Sequence, residues 1–100
     1  MSKLNFLRQD VVAEQKVIFV FNRLAYQFLV KNFTEGAIYV NFIDEDDEVN
    51  DINKENSIKI PSETAQVLTA NISKSNENRA NKVLIIAEIT GEVEIQLLEW

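Results

Sequence analysis

Residues 28–43, FLVKNFTEGAIYVNFI, alternate between apolar and polar positions on both sides of a short polar turn. Successive side chains of such a pattern point to opposite faces, as they do in a β-strand. The turn runs from Phe33 to Gly36, and Gly36 stands where a short hairpin loop needs positive φ. The stretch therefore predicts a hairpin whose strands, 25–32 and 37–43, pair with each other.

The C-terminal part of the chain repeats this pattern around Gly91. A strand is predicted at 82–89 and another at 92–98, and together they form a second hairpin. Residues 92–97 alternate strictly, which predicts one face in the core and one in water. Strand 82–89 is apolar on both faces, which predicts an interior strand.

The remaining segments give shorter or less regular signals. Residues 16–22 are apolar on both faces, which favours a central strand or one covered by another chain. A strand at 57–60 ends at Pro61, which has no backbone N–H for a sheet. Residues 66–72 fit a strand and also a helix capped by Ser62; we interpret them as a strand.

These segments predict an all-β protein of about seven to eight short strands, an antiparallel β-sandwich or a small barrel. A length of 100 residues predicts a single domain, residues 1–100. Residues 4–12 form a weak strand or part of an extended N-terminal arm, 1–12.

The N-terminus has no uninterrupted apolar run of the kind a secretory signal needs, and the longest apolar run anywhere is Val17–Phe21. We therefore expect a soluble protein made in the cytoplasm, with no membrane partner.

The chain has no histidine and no cysteine, which removes the usual general base, thiol nucleophiles, disulfides and most transition-metal sites. Glu92 and Glu94 share one strand face, but neighbours on one strand do not flank a cleft as glycosidase carboxylates do. We predict that the protein is not an enzyme and has no catalytic residue, no cofactor and no small-molecule substrate. Its few scattered basic residues argue against nucleic acid as a partner.

The net charge of −6 lies in an acidic loop, 44–57, because residues 44–55 hold seven acids and one base. Four of these acids, Asp44, Asp46, Glu48 and Glu55, match positions of a calcium-loop template, but Val49 replaces its glycine and no helices flank it. We therefore predict no metal site and interpret the loop as solvated, mobile and dispensable for folding. Docking to a basic partner is the other interpretation.

The pattern of residues 28–42, followed by Ile58–Pro61 and the Gly91 hairpin, resembles small β-sandwich virion proteins of tailed bacteriophages and prophages. These are head-decoration, neck or tail accessory subunits. The resemblance implies a structural subunit with no active site that assembles with itself and with other virion proteins. The acidic loop has no counterpart in it, which leaves a monomeric binding module or a phage-encoded inhibitor as the alternative.

A second observation also favours self-association. Residues 17–21 and 83–87 are apolar on both faces, and a small domain has little material to cover two such strands. We expect an identical subunit to cover them, with the N-terminal arm reaching onto a neighbour. The candidate interface residues are Leu4, Phe6, Val17, Phe19, Phe21 and Trp100.

Overall fold

Two four-stranded antiparallel sheets pack face to face in the computed structural model, which describes residues 6–43, 52–70 and 79–99. The strands are β1 (Phe6–Val11), β2 (Lys16–Ala25), β3 (Gln27–Asn32), β4 (Ile38–Ile43), β5 (Ile58–Ile60), β6 (Ala65–Thr69), β7 (Ala80–Ala87) and β8 (Gly91–Glu99). The first sheet has the order β1-β8-β3-β6 and the second β2-β7-β4-β5. The protein is a small antiparallel β-sandwich, which confirms the predicted fold class.

The predicted hairpins are wrong, although the strands themselves are present. β3 lies in the first sheet and β4 in the second, and β7 and β8 are divided in the same way. β3 and β4, like β7 and β8, are thus joined by an arch that crosses from one sheet to the other. Alternation identifies an inward face and an outward face, but it is the same whether the next strand pairs beside the first or packs opposite it.

The two glycines lie where the chain crosses between the sheets. Neither has the positive φ that was predicted for a hairpin turn. A Cβ on Gly91 would lie 2.8 Å from Cγ2 and 3.0 Å from Cα of Thr34. A Cβ on Gly36 would lie 3.0 Å from Cγ1 of Ile89. The connection after β3 and the connection after β7 therefore approach each other closely, and each contributes one glycine to the contact.

The core lies between the sheets and consists of the inward residues of both. Phe28 is fully buried, and its ring centroid lies 5.9 Å from that of Phe21 and 5.1 Å from that of Phe42. Offset aromatic contacts of this kind stabilise a core beyond the area that they bury. β7 is interior, as its apolar sequence predicted, whereas β2 is an edge strand and not a central one.

This arrangement corrects part of the predicted interface. Phe19 and Phe21 are buried in the core at 0% and 4% exposure, and Val17 packs half-buried against the same core. The inward face of β2 is thus covered by the opposite sheet, and none of these three side chains needs a second subunit.

Part of the outer face of the second sheet is covered by a segment that we call the strap, residues 52–57. Ile52 is 8% exposed and packs in a cluster with Ile43, Leu84 and Ile86. Ile52 thus packs on the sheet, whereas the predicted mobility and dispensability of the loop stay predictions. The second apolar face of β7 is covered from within the chain, which removes the main reason for expecting a neighbour there.

The N-terminal strand and the ambiguous segment also have defined places. β1 pairs with β8 from Phe6↔Gln96 to Val11↔Gly91, so residues 6–11 belong to the fold and do not form a free arm. The segment predicted at 66–72 is a strand, β6, and not a helix. Residues 71 and 72 lie outside the described part, and β5 ends directly before Pro61, as predicted.

Candidate interaction surface

The outer face of the first sheet consists of parallel rows of side chains. One row crosses all four strands as Phe6, Gln96, Leu29 and Val67. The next row crosses them as Arg8, Glu94, Lys31 and Ala65. A row that is apolar except for Gln96 thus lies beside a row that is charged except for Ala65, and the antiparallel register places them there.

A buried carboxylate lies at the centre of the charged row. Arg8 donates to Oε1 of Glu94 from Nη2 at 2.7 Å and from Nε at 3.1 Å. Lys31 Nζ lies 3.2 Å from Oε2 on the other side. Glu94 is 7% exposed. The hydrogen bonds from Arg8, and after them those from Lys31, hold the pKa of Glu94 below its ordinary value against the effect of burial.

Three large apolar side chains surround this charged centre and remain exposed. Phe6, Phe33 and Val67 are 50%, 48% and 52% exposed. The Arg8 guanidinium carbon lies 5.5 Å from the centroid of the Phe33 ring, a cation–π contact that fixes both side chains on this face. A face with ordered charges and half-exposed aromatics is typical of a contact surface.

A groove of about 370 Å³ opens at one end of this face, between the end of β3 and the turn before β6. Its lining residues are Lys31, Asn32, Phe33, Glu63, Thr64 and Ala65. The groove is shallow and continuous with the exposed face, so we treat it as part of the same surface.

Asn32 holds this end of the sandwich together. Its Nδ2 donates to the carbonyl oxygens of Gly36, Ile60 and Pro61 at 2.9, 3.2 and 3.0 Å. Its Oδ1 accepts from the backbone N–H and the hydroxyl of Thr34 at 2.9 and 2.7 Å. Asn32 is 1% exposed, so this asparagine ties β3 to the arch that follows it and to the end of β5.

A second polar cluster fastens the strap on the opposite side of the molecule. The side chain of Asn53 accepts from the N–H groups of Glu55 and Asn56, which caps the short 3₁₀ helix Lys54–Asn56. Lys54 Nζ donates to Glu14 Oε2 at 2.7 Å, and this hydrogen bond raises the pKa of Lys54.

Tyr39 extends that cluster. Its hydroxyl donates to Glu88 Oε2 at 2.8 Å, which raises the pKa of Tyr39 and lowers the pKa of Glu88. Lys54 Nζ lies 5.5 Å from the centroid of the Tyr39 ring. These groups pair with each other, so we interpret the cluster as the attachment of the strap and not as a reactive site.

The residues singled out from the sequence are distributed as follows. Phe6 is exposed on the interaction surface, whereas Leu4 and Trp100 lie outside the described residues. Of the calcium candidates, Asp44, Asp46 and Glu48 lie outside the described residues, and Glu55 is exposed on the strap. Within residues 6–43, 52–70 and 79–99, no group of three or more acidic side chains is placed to hold a metal ion.

Sequence reasoning missed two features. It predicted that Glu94 lies on the solvent-facing side of its strand. It could not predict the contacts of Glu94 with Arg8 and Lys31, because those contacts depend on which strands flank β8. It also missed the strap, for which a signal was present: Asn53 and Asn56 at capping-box spacing directly after an isoleucine.

Comparison of the chain with protein families, with curated proteins and with solved structures gives no match. In the described part of the chain, no helix has the length and apolar character that crossing a membrane requires.

Proposed function

We propose that this protein is a non-enzymatic structural subunit that acts by self-association through the outer face of its first sheet. The observation that carries the proposal is the combination on one face of three half-exposed apolar side chains, Phe6, Phe33 and Val67, with an ion-paired carboxylate at its centre. Burial of these apolar side chains against a partner is favourable. The charges at the centre of the face already have partners within the chain, so a partner does not leave them unpaired.

The chemistry of Glu94 supports a structural role for this face. A general acid needs a carboxyl whose pKa is raised towards neutrality. The two cations beside Glu94 act in the opposite direction and keep it ionised. The carboxylate therefore serves to fix Arg8 and Lys31 in place, which preserves the shape of the surface.

The resemblance of residues 28–42, 58–61 and Gly91 to small virion proteins supports a proposal about the particle in which the subunit acts. We propose that the subunit belongs to a phage or prophage particle, as a head-decoration, neck or tail accessory protein. Its partners there are further copies of itself and other virion proteins.

Analytical ultracentrifugation over a concentration series tests the proposal. We expect the mass of the wild-type protein to rise with concentration. The double variant Phe6→Thr/Phe33→Thr keeps β-compatible residues but removes two aromatic rings from the face, so we expect it to associate more weakly than the wild type over the same range. Val20→Thr, at a position that is 55% exposed on β2 of the other sheet, is the matched control and should associate as the wild type does. A wild-type protein that stays monomeric at every concentration would disprove self-association.

A second candidate function, a monomeric binding module or phage-encoded inhibitor with a basic partner, rests on residues 44–55, whose acids are concentrated in the segment 44–51. This segment holds six of the 16 acids and no base, so the rest of the chain has ten acids and ten bases and is neutral. Both of its flanking residues, Ile43 and Ile52, are buried in the same cluster on the outer side of the second sheet.

Thermal unfolding with added cations distinguishes the forms of this second candidate. A lysine-rich peptide that raises the melting temperature at low salt but not at high salt would favour a basic partner. Millimolar calcium that raises it by several degrees, where magnesium does not, would instead make Asp44, Asp46, Glu48 and Glu55 calcium ligands. No change with either would leave the acidic segment without a binding role.

A further inference from the structure

In the described part of the chain the sandwich has four edge strands, and β6 differs from the other three in its side chains. The edge strands are β1 and β6 in the first sheet and β2 and β5 in the second. β1, β2 and β5 each contain at least one charged residue, whereas Ala65–Thr69 has the sequence AQVLT and no charge. Proteins usually protect sheet edges with charged side chains, because an open edge offers unpaired backbone groups to another strand. β6 lacks that protection among the described edges.

The backbone of β6 is also accessible. Four of its five residues are exposed, and only Leu68 is buried, on the face that meets the core. Val67 is 52% exposed and stands at the middle of the strand, at the end of the apolar row that begins at Phe6.

Two hydrogen bonds at the ends of β6 determine which backbone groups face the open edge. The N–H of Asn32 donates to the carbonyl of Thr64, and the N–H of Ala70 donates to the carbonyl of Tyr26. In an antiparallel ladder the residues that bond to the neighbouring strand alternate. Residues 64, 66, 68 and 70 therefore bond towards β3, and the N–H and C=O groups of Ala65, Val67 and Thr69 point to the open edge.

We propose that a second copy of this chain pairs with this edge, β6 against β6, antiparallel and about a two-fold axis through Val67. This inference rests on the proposed self-association and adds to the face contact a second contact at the β6 edge of the same sheet. In this register Val67 faces Val67 of the other copy, and Ala65 faces Thr69. Each of these pairs exchanges two N–H···O=C bonds, so every backbone group that points to the open edge is satisfied on both copies.

The side chains agree with this register. No charged residue meets a like charge along the paired strands, because the five residues of β6 carry none. The two Val67 side chains lie on the outer faces of the joined sheets, where each is already beside Leu29 of its own copy. The apolar row thus continues from one copy into the other across a single eight-stranded sheet.

Single cysteines test the register, because the chain has no cysteine of its own. In the proposed pairing the Cα atoms of the two residues at position 67 lie about 5.5 Å apart, within the range that a disulfide spans. We expect Val67→Cys to form a covalent dimer on mild oxidation. Val20→Cys, equally exposed on the β2 edge, is the control and should remain monomeric.

The neighbouring positions make the test specific for this register. Residue 65 of one copy lies opposite residue 69 of the other, and the two residues 65 are about 13 Å apart at about 3.3 Å per residue. A mixture of Ala65→Cys and Thr69→Cys should therefore cross-link, whereas Ala65→Cys alone should not. Cross-linking of Ala65→Cys alone, or equal cross-linking at 67 and 20, would overturn the proposed register.

Charge variants test the same contact without covalent chemistry. Val67→Lys places two lysines opposite each other across the two-fold axis, so we expect it to raise the dimer dissociation constant about tenfold or more. Val20→Lys should leave that constant unchanged, and mixing Val67→Lys with Val67→Glu should restore association. Thermal melts verify that each variant is folded.

The outcomes separate this inference from the proposed function. A wild-type protein that associates while Val67→Lys associates equally well would overturn the β6 contact and leave self-association standing. A wild-type protein that is monomeric at all concentrations would overturn both.

Discussion

Truncating Ile52 should reveal whether the strap is part of the folded structure. Ile52→Ala removes about three carbon groups, each worth about 0.8 kcal/mol when buried. Ile52 is only 8% exposed, so nearly all of this burial free energy is lost when its side chain is truncated. The site is at the surface, so no enclosed cavity remains and the loss should fall at the low end of the range for core truncations, about 2 kcal/mol.

Urea unfolding measures this loss as a lower transition midpoint at an unchanged slope. The melting temperature should fall by about 10 °C, since 1 kcal/mol is worth about 4–8 °C in a domain of this size. Ile58→Ala is the matched control, because Ile58 is the same residue type nearby but 41% exposed. It should cost about 1 kcal/mol, in proportion to the smaller area that it buries.

An Ile52→Ala protein with the midpoint of the wild type would refute the argument. It would mean that Ile52 does not pack against Ile43, Leu84 and Ile86 in solution, and that the outer face of the second sheet is open. That face would then again need a partner to cover it.

Three further predictions concern the arches and the charged row. Gly91→Ala should destabilise the protein more than Gly36→Ala in thermal melts, because the new Cβ meets the backbone of Thr34 in the first case and a side chain that can turn away in the second. Asn32→Ala should lower the free energy of unfolding, measured in urea, by about 2–3 kcal/mol, since it leaves several buried polar groups without partners. A loss as small as that of a surface substitution would contradict the role of Asn32. Glu94→Gln should lower the free energy of unfolding by about 1 kcal/mol at neutral pH. The loss is small because solvent screens the interaction of Glu94 with both cations. Folding lowers the pKa of Glu94, so the difference in stability between the wild type and Glu94→Gln should be complete above the ordinary pKa of 4.5. It should vanish as the pH falls through the pKa of Glu94 in the folded protein. A stability difference that persists in acid would contradict the ion pair as its cause.

The amino-acid pattern alone determined where most of the strands lie and, in the strands whose residues alternate, which side is buried. Alternation in residues 28–43 and 92–98 identified the inward residues, because a sandwich buries one face of each strand whatever its neighbours are. The absence of histidine and cysteine, and the concentration of net charge in one segment, are likewise properties of the chain itself. These local signals were sufficient for the fold class.

Only the tertiary structure decided how the strands pair. A hairpin and an arch need the same alternation, so the sequence could not tell that β3 and β4 face each other across the core. The roles of the glycines, of Asn32 and of the strap depend on that choice, since each acts between segments that are distant along the chain. The pairing of Glu94 with Arg8 and Lys31 has the same origin: a strand pattern specifies which face a side chain occupies, whereas its neighbours on that face are set by contacts between strands that only folding brings together.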